Sequence, residues 1–196
     1  MKTNSKNQDI RNSKTYELWK QQWNKPLESL YRYLPTKYKA EATERDWQVR
    51  RLVWDFKDGK RSIGVAQVVA QRLVKMFGAS VTEITLVCVP ASSAEKNERR
   101  YKAFAAEVAR LTGCANGYEA IQVEGERLAI HENRHAKHLQ STQVIRFDED
   151  YFAGRKVVVF DDILTLGHTY ARFACAIEAL GATVIGGLFL GRTITL

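Results

Sequence analysis

Cysteine is scarce in this chain of 196 residues: Cys88, Cys114 and Cys175 are the only three, and no two stand in a CxxC spacing. An odd, scattered set excludes a disulfide scaffold and a cysteine zinc ribbon. Long apolar runs are lacking too. The longest, at 182–191, is broken by Gly186 and Gly187, well short of the ~18 residues a membrane-crossing helix needs. Residues 1–14 are polar and lack the apolar stretch of a secretory signal. The expectation is a reduced, cytoplasmic protein with no membrane contact. There is no internal repeat and no low-complexity tract. What is present is a core: 45% of residues are hydrophobic and 10% aromatic, which excludes a largely disordered chain.

Positive charge is unevenly placed. Residues 1–61 hold 15 Lys and Arg against 8 Asp and Glu, whereas 62–196 hold 15 against 14. A basic third suits an anionic partner, nucleic acid or polyphosphate; it also suits a merely solvated helical face. Residues 1–14 read as a disordered basic tail. Tyr16, Trp19, Trp23, Leu27, Leu30 and Leu34 follow at helical spacing. Pro26 either kinks that helix or opens a second one capped by Asn24. Residues 15–46 are therefore expected to form a helical arm or hood, with Trp19 and Trp23 mostly buried. Any nucleic-acid binding by this third would then be weak, electrostatic and salt-dependent.

From residue 47 the pattern is regular. Thr43 can cap a helix with Asp46 three residues on, carrying Val49, Leu52, Val53 and Phe56 inward. Ser62 opens another, stopped by Gly78. Apolar runs at 84–89, 120–123, 157–160 and 183–190 read as strands, alternating with helices that end at Gly113 and Gly181. Alternation of this kind predicts an α/β fold, a parallel sheet flanked by helices.

The stretch KVVVFDDILTLGHT at 156–169 carries the chemistry. A buried strand runs into Asp161 and Asp162, a short loop follows, and a helix begins near His168. Ligands of parallel sheets bind at the carboxyl ends of strands, and N–H groups at a helix start favour phosphate. Gly167 allows close backbone approach, and Thr165 and Thr169 add hydroxyls. Acids beside such a loop suit sugar hydroxyls or a magnesium-bound ligand. Two adjacent acids in a buried strand cost free energy unless they serve a purpose.

This segment resembles the signature of type I phosphoribosyltransferases. The resemblance implies that Asp161 and Asp162 meet the ribose of phosphoribosyl pyrophosphate, while Thr165, Leu166, Gly167, His168 and Thr169 wrap its 5-phosphate. Within that family the chain looks like the competence protein F (ComF-like) group over about 47–196. The matching pieces are VRRLVWDFKDG at 49–59, VCVP at 87–90 with Glu98 and Arg99 after it, and LGRT at 190–193. By the same resemblance, pyrophosphate would sit on Ala91, Ser92 and Ser93 with Arg99, Arg100 and Lys57, and a mobile loop bearing Arg127, Arg134 and Lys137 would cover the ligand. Mg²⁺ would arrive with the diphosphate. Ser92 and Ser93 also read as an ordinary cap for a helix starting at Ala94.

Three departures stand out. Leu166 replaces the usual threonine, removing a hydroxyl donor worth about 1.5–3 kcal/mol if it bonds a charged oxygen. The group's cysteine zinc module is missing. Its Arg-Gly-Phe-Asn stretch appears here as Arg99, Arg100, Tyr101 and Lys102. Thr165 stands where some members carry an aspartate that serves a purine, which argues against a purine acceptor. A separate HExxH pattern, His131, Glu132 and His135 with His138 beyond, fits a zinc hydrolase. It lacks a third ligand at suitable spacing and sits among Arg134 and Lys137. The leading reading is a phosphoribosyl transfer enzyme binding phosphoribosyl pyrophosphate or a nucleotide. The alternative is a non-catalytic ligand sensor or adaptor in DNA uptake or DNA processing.

Overall fold

The computed structural model describes residues 14–125 and 143–195. Its centre is a five-stranded, wholly parallel sheet in the order β1-β7-β6-β2-β3. The strands are β1 (Leu27–Tyr33), β2 (Ile84–Cys88), β3 (Ala115–Asn116), β6 (Lys156–Leu164) and β7 (Thr183–Thr193). Alternate residues feed two cores. Leu86, Val158, Phe160 and Leu188 pack on one side beneath α2 (Glu44–Lys57), α3 (Ser62–Phe77) and α5 (Ala103–Thr112). Val87, Val157, Val159 and Phe189 pack on the other beneath α7 (His168–Ala179). Both faces are covered, which is why the central strands read as continuous apolar runs. Among the described residues no helix is long and apolar enough to cross a membrane.

The caps read from sequence are in place. Thr43 accepts from the Asp46 N–H while Asp46 accepts from the Thr43 N–H, a capping box that fixes the start of α2. Gly78 ends α3 and Gly113 ends α5. A buried cation was not foreseen. Arg50, wholly enclosed, donates to the carbonyls of Leu34 and Pro35 at 2.8 Å and lies 4.5 Å from the Trp47 ring centre. It ties the turn after β1 to α2.

Two expectations are corrected. The helical stripe stops at Trp23, where α1 (Lys14–Trp23) ends. Leu27, Leu30 and Leu34 do not continue it, because residues 27–33 are strand β1, paired to β7 from Leu27↔Gly187 to Tyr33↔Thr193. Pro26 lacks the N–H a helix needs, and its carbonyl instead accepts from the Gly187 N–H at 2.9 Å. The arm is thus one helix, and β1 belongs to the sheet. Next, the apolar run near 120 does not join the main sheet. It forms β4 (Ile121–Glu124), antiparallel to β5 (Val144–Phe147) in a separate ribbon. Trp19 and Trp23 pack against the α7 core and are mostly covered, as expected; the fully buried residue of α1 is Gln22. Gln22 and Lys25 both donate to Glu178 on α7, so polar contacts as well as indoles dock α1.

Candidate functional site

β6 runs two residues past the acids, so Asp161 and Asp162 lie within the strand rather than at its end. Side chains in a strand alternate between faces, and the two acids part accordingly. Asp162, 7% exposed, turns to the α2 and α5 side. There Arg100 Nη1 donates to its Oδ2 at 2.7 Å, and Lys57 Nζ stands 3.3 Å from its Oδ1. Asp161 accepts the Asp162 backbone N–H at 2.8 Å.

Both cations are delivered by local structure. Lys57 is in the last turn of α2, where the helix dipole favours a positive charge. The turn that follows needs Gly59: its φ is +75°, and a Cβ there would sit 2.5 Å from the Arg99 carbonyl oxygen. This close approach lets Arg100 Nε reach the Lys57 carbonyl at 3.3 Å. Arg100 itself belongs to a π-helical turn (Glu98–Lys102) between α4 (Ala94–Asn97) and α5, a distortion often found at functional sites.

The electrostatics distinguish the acids. Part of Asp161 reaches the surface, but its carboxyl is pushed up to about 8, first by burial and then by the charge of Asp162. The Asp162 N–H, Lys57 and Arg100 only partly oppose this. Tyr101, fully buried beside them, has its phenol pushed well above its usual range by burial first and the two acids next. The arrangement is a protonatable carboxyl beside a carboxylate clamped by two cations.

The glycine loop follows directly. Thr165, Leu166, His168 and Thr169 are exposed, and Gly167 is buried with φ +73°. Gly167 precedes α7, and its carbonyl accepts the Ala171 N–H at 2.9 Å. The same carbonyl accepts from Trp23 Nε1 at 3.1 Å, so closely that a Cβ on Gly167 would come 2.9 Å from that nitrogen. The His168 ring lies 5.4 Å from Trp19 and 5.6 Å from Trp23, centre to centre. Helix α1 therefore lies over the loop. Sequence reading placed the indoles in an added helix but not against this turn. Leu166 is 76% exposed, so it does not pack the loop.

The loop after β2 is only partly available. Ala91 is buried, its N–H donates to Asn97 Oδ1 at 3.0 Å, and its carbonyl accepts from Gln143 Nε2 at 2.6 Å. Its N–H is thus engaged within the loop in this structure. Ser93 caps α4, accepting from the Lys96 N–H. Ser92 is half-buried. Arg99 points away, 3.7 Å from Glu95; the structure brings Arg100 and Lys57 to the acids and leaves Arg99 out. Buried Asn97, which holds this loop, gave no sequence signal: it ends the short polar helix Ala-Glu-Lys-Asn.

Arg127, Arg134 and Lys137, and the HExxH residues His131, Glu132, His135 and His138, lie outside the described residues. Among the described residues no three His, Cys, Asp or Glu side chains group as a metal site. Two neighbouring acids with open loop donors fit a Mg²⁺ that brings phosphate ligands with it, since that ion takes one or two carboxylates and keeps other oxygens. No family model matches the chain, and no curated protein matches it.

Proposed function

We propose that this protein binds phosphoribosyl pyrophosphate and transfers its phosphoribosyl group to an acceptor, in the manner of type I phosphoribosyltransferases. The observation that carries this reading is the convergence of Lys57 and Arg100 on Asp162, three residues before the glycine turn that opens α7. The turn offers the free N–H groups of the α7 start and the exposed hydroxyls of Thr165 and Thr169 to the 5-phosphate. Asp161 and Asp162 accept from the ribose hydroxyls. Lys57 and Arg100, which hold Asp162 in the unliganded chain, would turn to the diphosphate and balance its charge as the bond from the anomeric carbon to pyrophosphate breaks. The acceptor's lone pair forms the new bond at that carbon, and its proton leaves to pyrophosphate or water. Bound Mg²⁺ would supply charge neutralisation of the diphosphate.

Titration calorimetry with phosphoribosyl pyrophosphate and Mg²⁺ tests the reading. Saturable binding that is lost in Asp161→Ala/Asp162→Ala, in a variant that keeps its circular dichroism, supports it. Equal affinity in parent and variant refutes it. Exposed Leu166, in place of a hydroxyl donor, favours a second reading: a non-catalytic ligand sensor or adaptor in DNA handling. Pyrophosphate release with a panel of nucleobases separates the two.

A further inference from the structure

The clamped carboxylate of Asp162 has a buried neighbour without a hydrogen bond. Tyr101 follows Arg100 in the π-helical turn and is wholly enclosed. Its ring is held edge-on by Phe56, Phe104 and Phe160, with centres 6.0, 6.3 and 6.5 Å away. Phe160 and Asp162 lie two apart on β6 and so share a face, and Phe160 and Tyr101 belong to the same core. Tyr101 therefore packs on the side of the sheet to which Asp162 turns. The Arg100 guanidinium lies 5.5 Å from its ring centre. Yet among the described residues the Tyr101 hydroxyl has no hydrogen-bond partner.

A buried hydroxyl without a partner is unfavourable, and phenylalanine would fill the same space without that cost. A phenol is protonated at neutral pH, and here burial first and Asp162 next push it further up. The hydroxyl is thus a donor in the field of an acceptor that is already engaged. Asp162 Oδ2 is taken by Arg100 at 2.7 Å, and its Oδ1 faces Lys57 at 3.3 Å. The hydroxyl stays idle only while Arg100 remains on the carboxylate.

We propose that Tyr101 is a positioning residue that takes over Asp162 when an anionic ligand draws Arg100 away, its hydroxyl donating to the carboxylate oxygen that Arg100 releases. The ring stays fixed among its three phenylalanines, and the carboxyl turns to it. Asp162 then remains oriented and hydrogen-bonded inside the core, and Arg100 is freed without stranding a buried charge. The identity of the ligand rests on the function proposed above; the exchange of donors on Asp162 does not.

Substituting Arg100 imitates its departure, so the exchange can be read without a ligand. Urea unfolding followed by circular dichroism compares the parent, Tyr101→Phe, Arg100→Met and Tyr101→Phe/Arg100→Met, with sucrose in every sample to keep the weakest variant folded. In the parent background Tyr101→Phe should leave the folding constant unchanged or raise it. In the Arg100→Met background the same change should lower it about tenfold, because a hydrogen bond to a charged group is then lost. Calorimetry with phosphoribosyl pyrophosphate and Mg²⁺ reads the liganded state: Tyr101→Phe, as stable as the parent, should bind about tenfold more weakly. Equal effects of Tyr101→Phe on folding in the two backgrounds would overturn the proposal. So would unchanged affinity in Tyr101→Phe where the parent binds. A parent that binds no phosphoribosyl pyrophosphate refutes the function proposed above, and the folding cycle alone then decides the role of Tyr101.

Discussion

Replacing Arg100 by methionine isolates the central ion pair. Arg100 and Asp162 are both poorly exposed, with side chains 14% and 10% accessible, at 2.7 Å. Breaking a buried pair from one side costs about 3–5 kcal/mol, because the remaining charge is left uncompensated. Here Lys57 stays 3.3 Å from the other oxygen of Asp162, so the loss should fall to about 2–3 kcal/mol, close to one charge-assisted hydrogen bond. For a chain of this length that is a drop in Tm of about 4–12 °C. The double variant Arg100→Met/Asp162→Asn removes the stranded charge together with its partner. It should be more stable than Arg100→Met alone, with a coupling of about 1–2 kcal/mol between the sites. Urea unfolding followed by circular dichroism measures all four corners of the cycle. A single-variant loss below about 0.5 kcal/mol, or strictly additive effects, would show that Asp162 does not depend on Arg100 and would refute the electrostatic account.

Other perturbations have readable outcomes. Asp161 keeps a proton in the folded chain between its ordinary 3.8 and about 8 that the unfolded chain releases. Stability should therefore fall as pH rises through that window, and Asp161→Asn should flatten the slope in denaturant titrations at stepped pH. Over the same window Mg²⁺-dependent ligand affinity should rise with pH, measured by calorimetry, as the proton no longer competes. Leu166→Thr should tighten phosphate binding by a fraction of the ~1.5–3 kcal/mol of a charged hydrogen bond, without a stability cost, since Leu166 is exposed; weaker binding would contradict the loop assignment. Trp23→Phe removes the indole donor to Gly167 and should lower stability by about 1 kcal/mol, read in thermal unfolding.

The α/β alternation from residue 84 was legible because parallel strands covered on both faces are short apolar blocks, and α2, α3 and α5 carry their caps and glycine stops in the chain itself. Segment 27–33 was misread for a physical reason. Leu27, Leu30 and Leu34 happen to fall at helical spacing, while the period-two pair Tyr31 and Tyr33 marks the strand. Edge pairing to β7 decides between them, and pairing partners are not visible in a local pattern. The acids, the glycine turn and Lys57 were legible as residue types in motif order. The selection of Arg100 over Arg99 was not. It depends on a π-helical turn and on the approach of Gly59 to the Arg99 backbone, both set by tertiary packing.

Strand alternation gives the acid pair a division of labour that adjacency in sequence conceals. Two carboxylates side by side suggest one shared task, yet consecutive strand residues point to opposite faces. Asp162 faces the helices that bring Lys57 and Arg100, so its charge is already matched before any ligand arrives. Among the described residues Asp161 has no such ion pair, accepts its neighbour's N–H, and is the carboxyl whose proton is retained to about 8. On the proposed function, a phosphorylated sugar entering this site would do two things at once. It would draw Lys57 and Arg100 towards its phosphates, and it would take the place of a proton on Asp161. A ligand with a diphosphate and an accompanying cation meets both demands, whereas a neutral sugar meets neither. On that proposal the asymmetry links the local geometry of β6 to a diphosphate-bearing ligand, and it is carried by two adjacent residues of one strand.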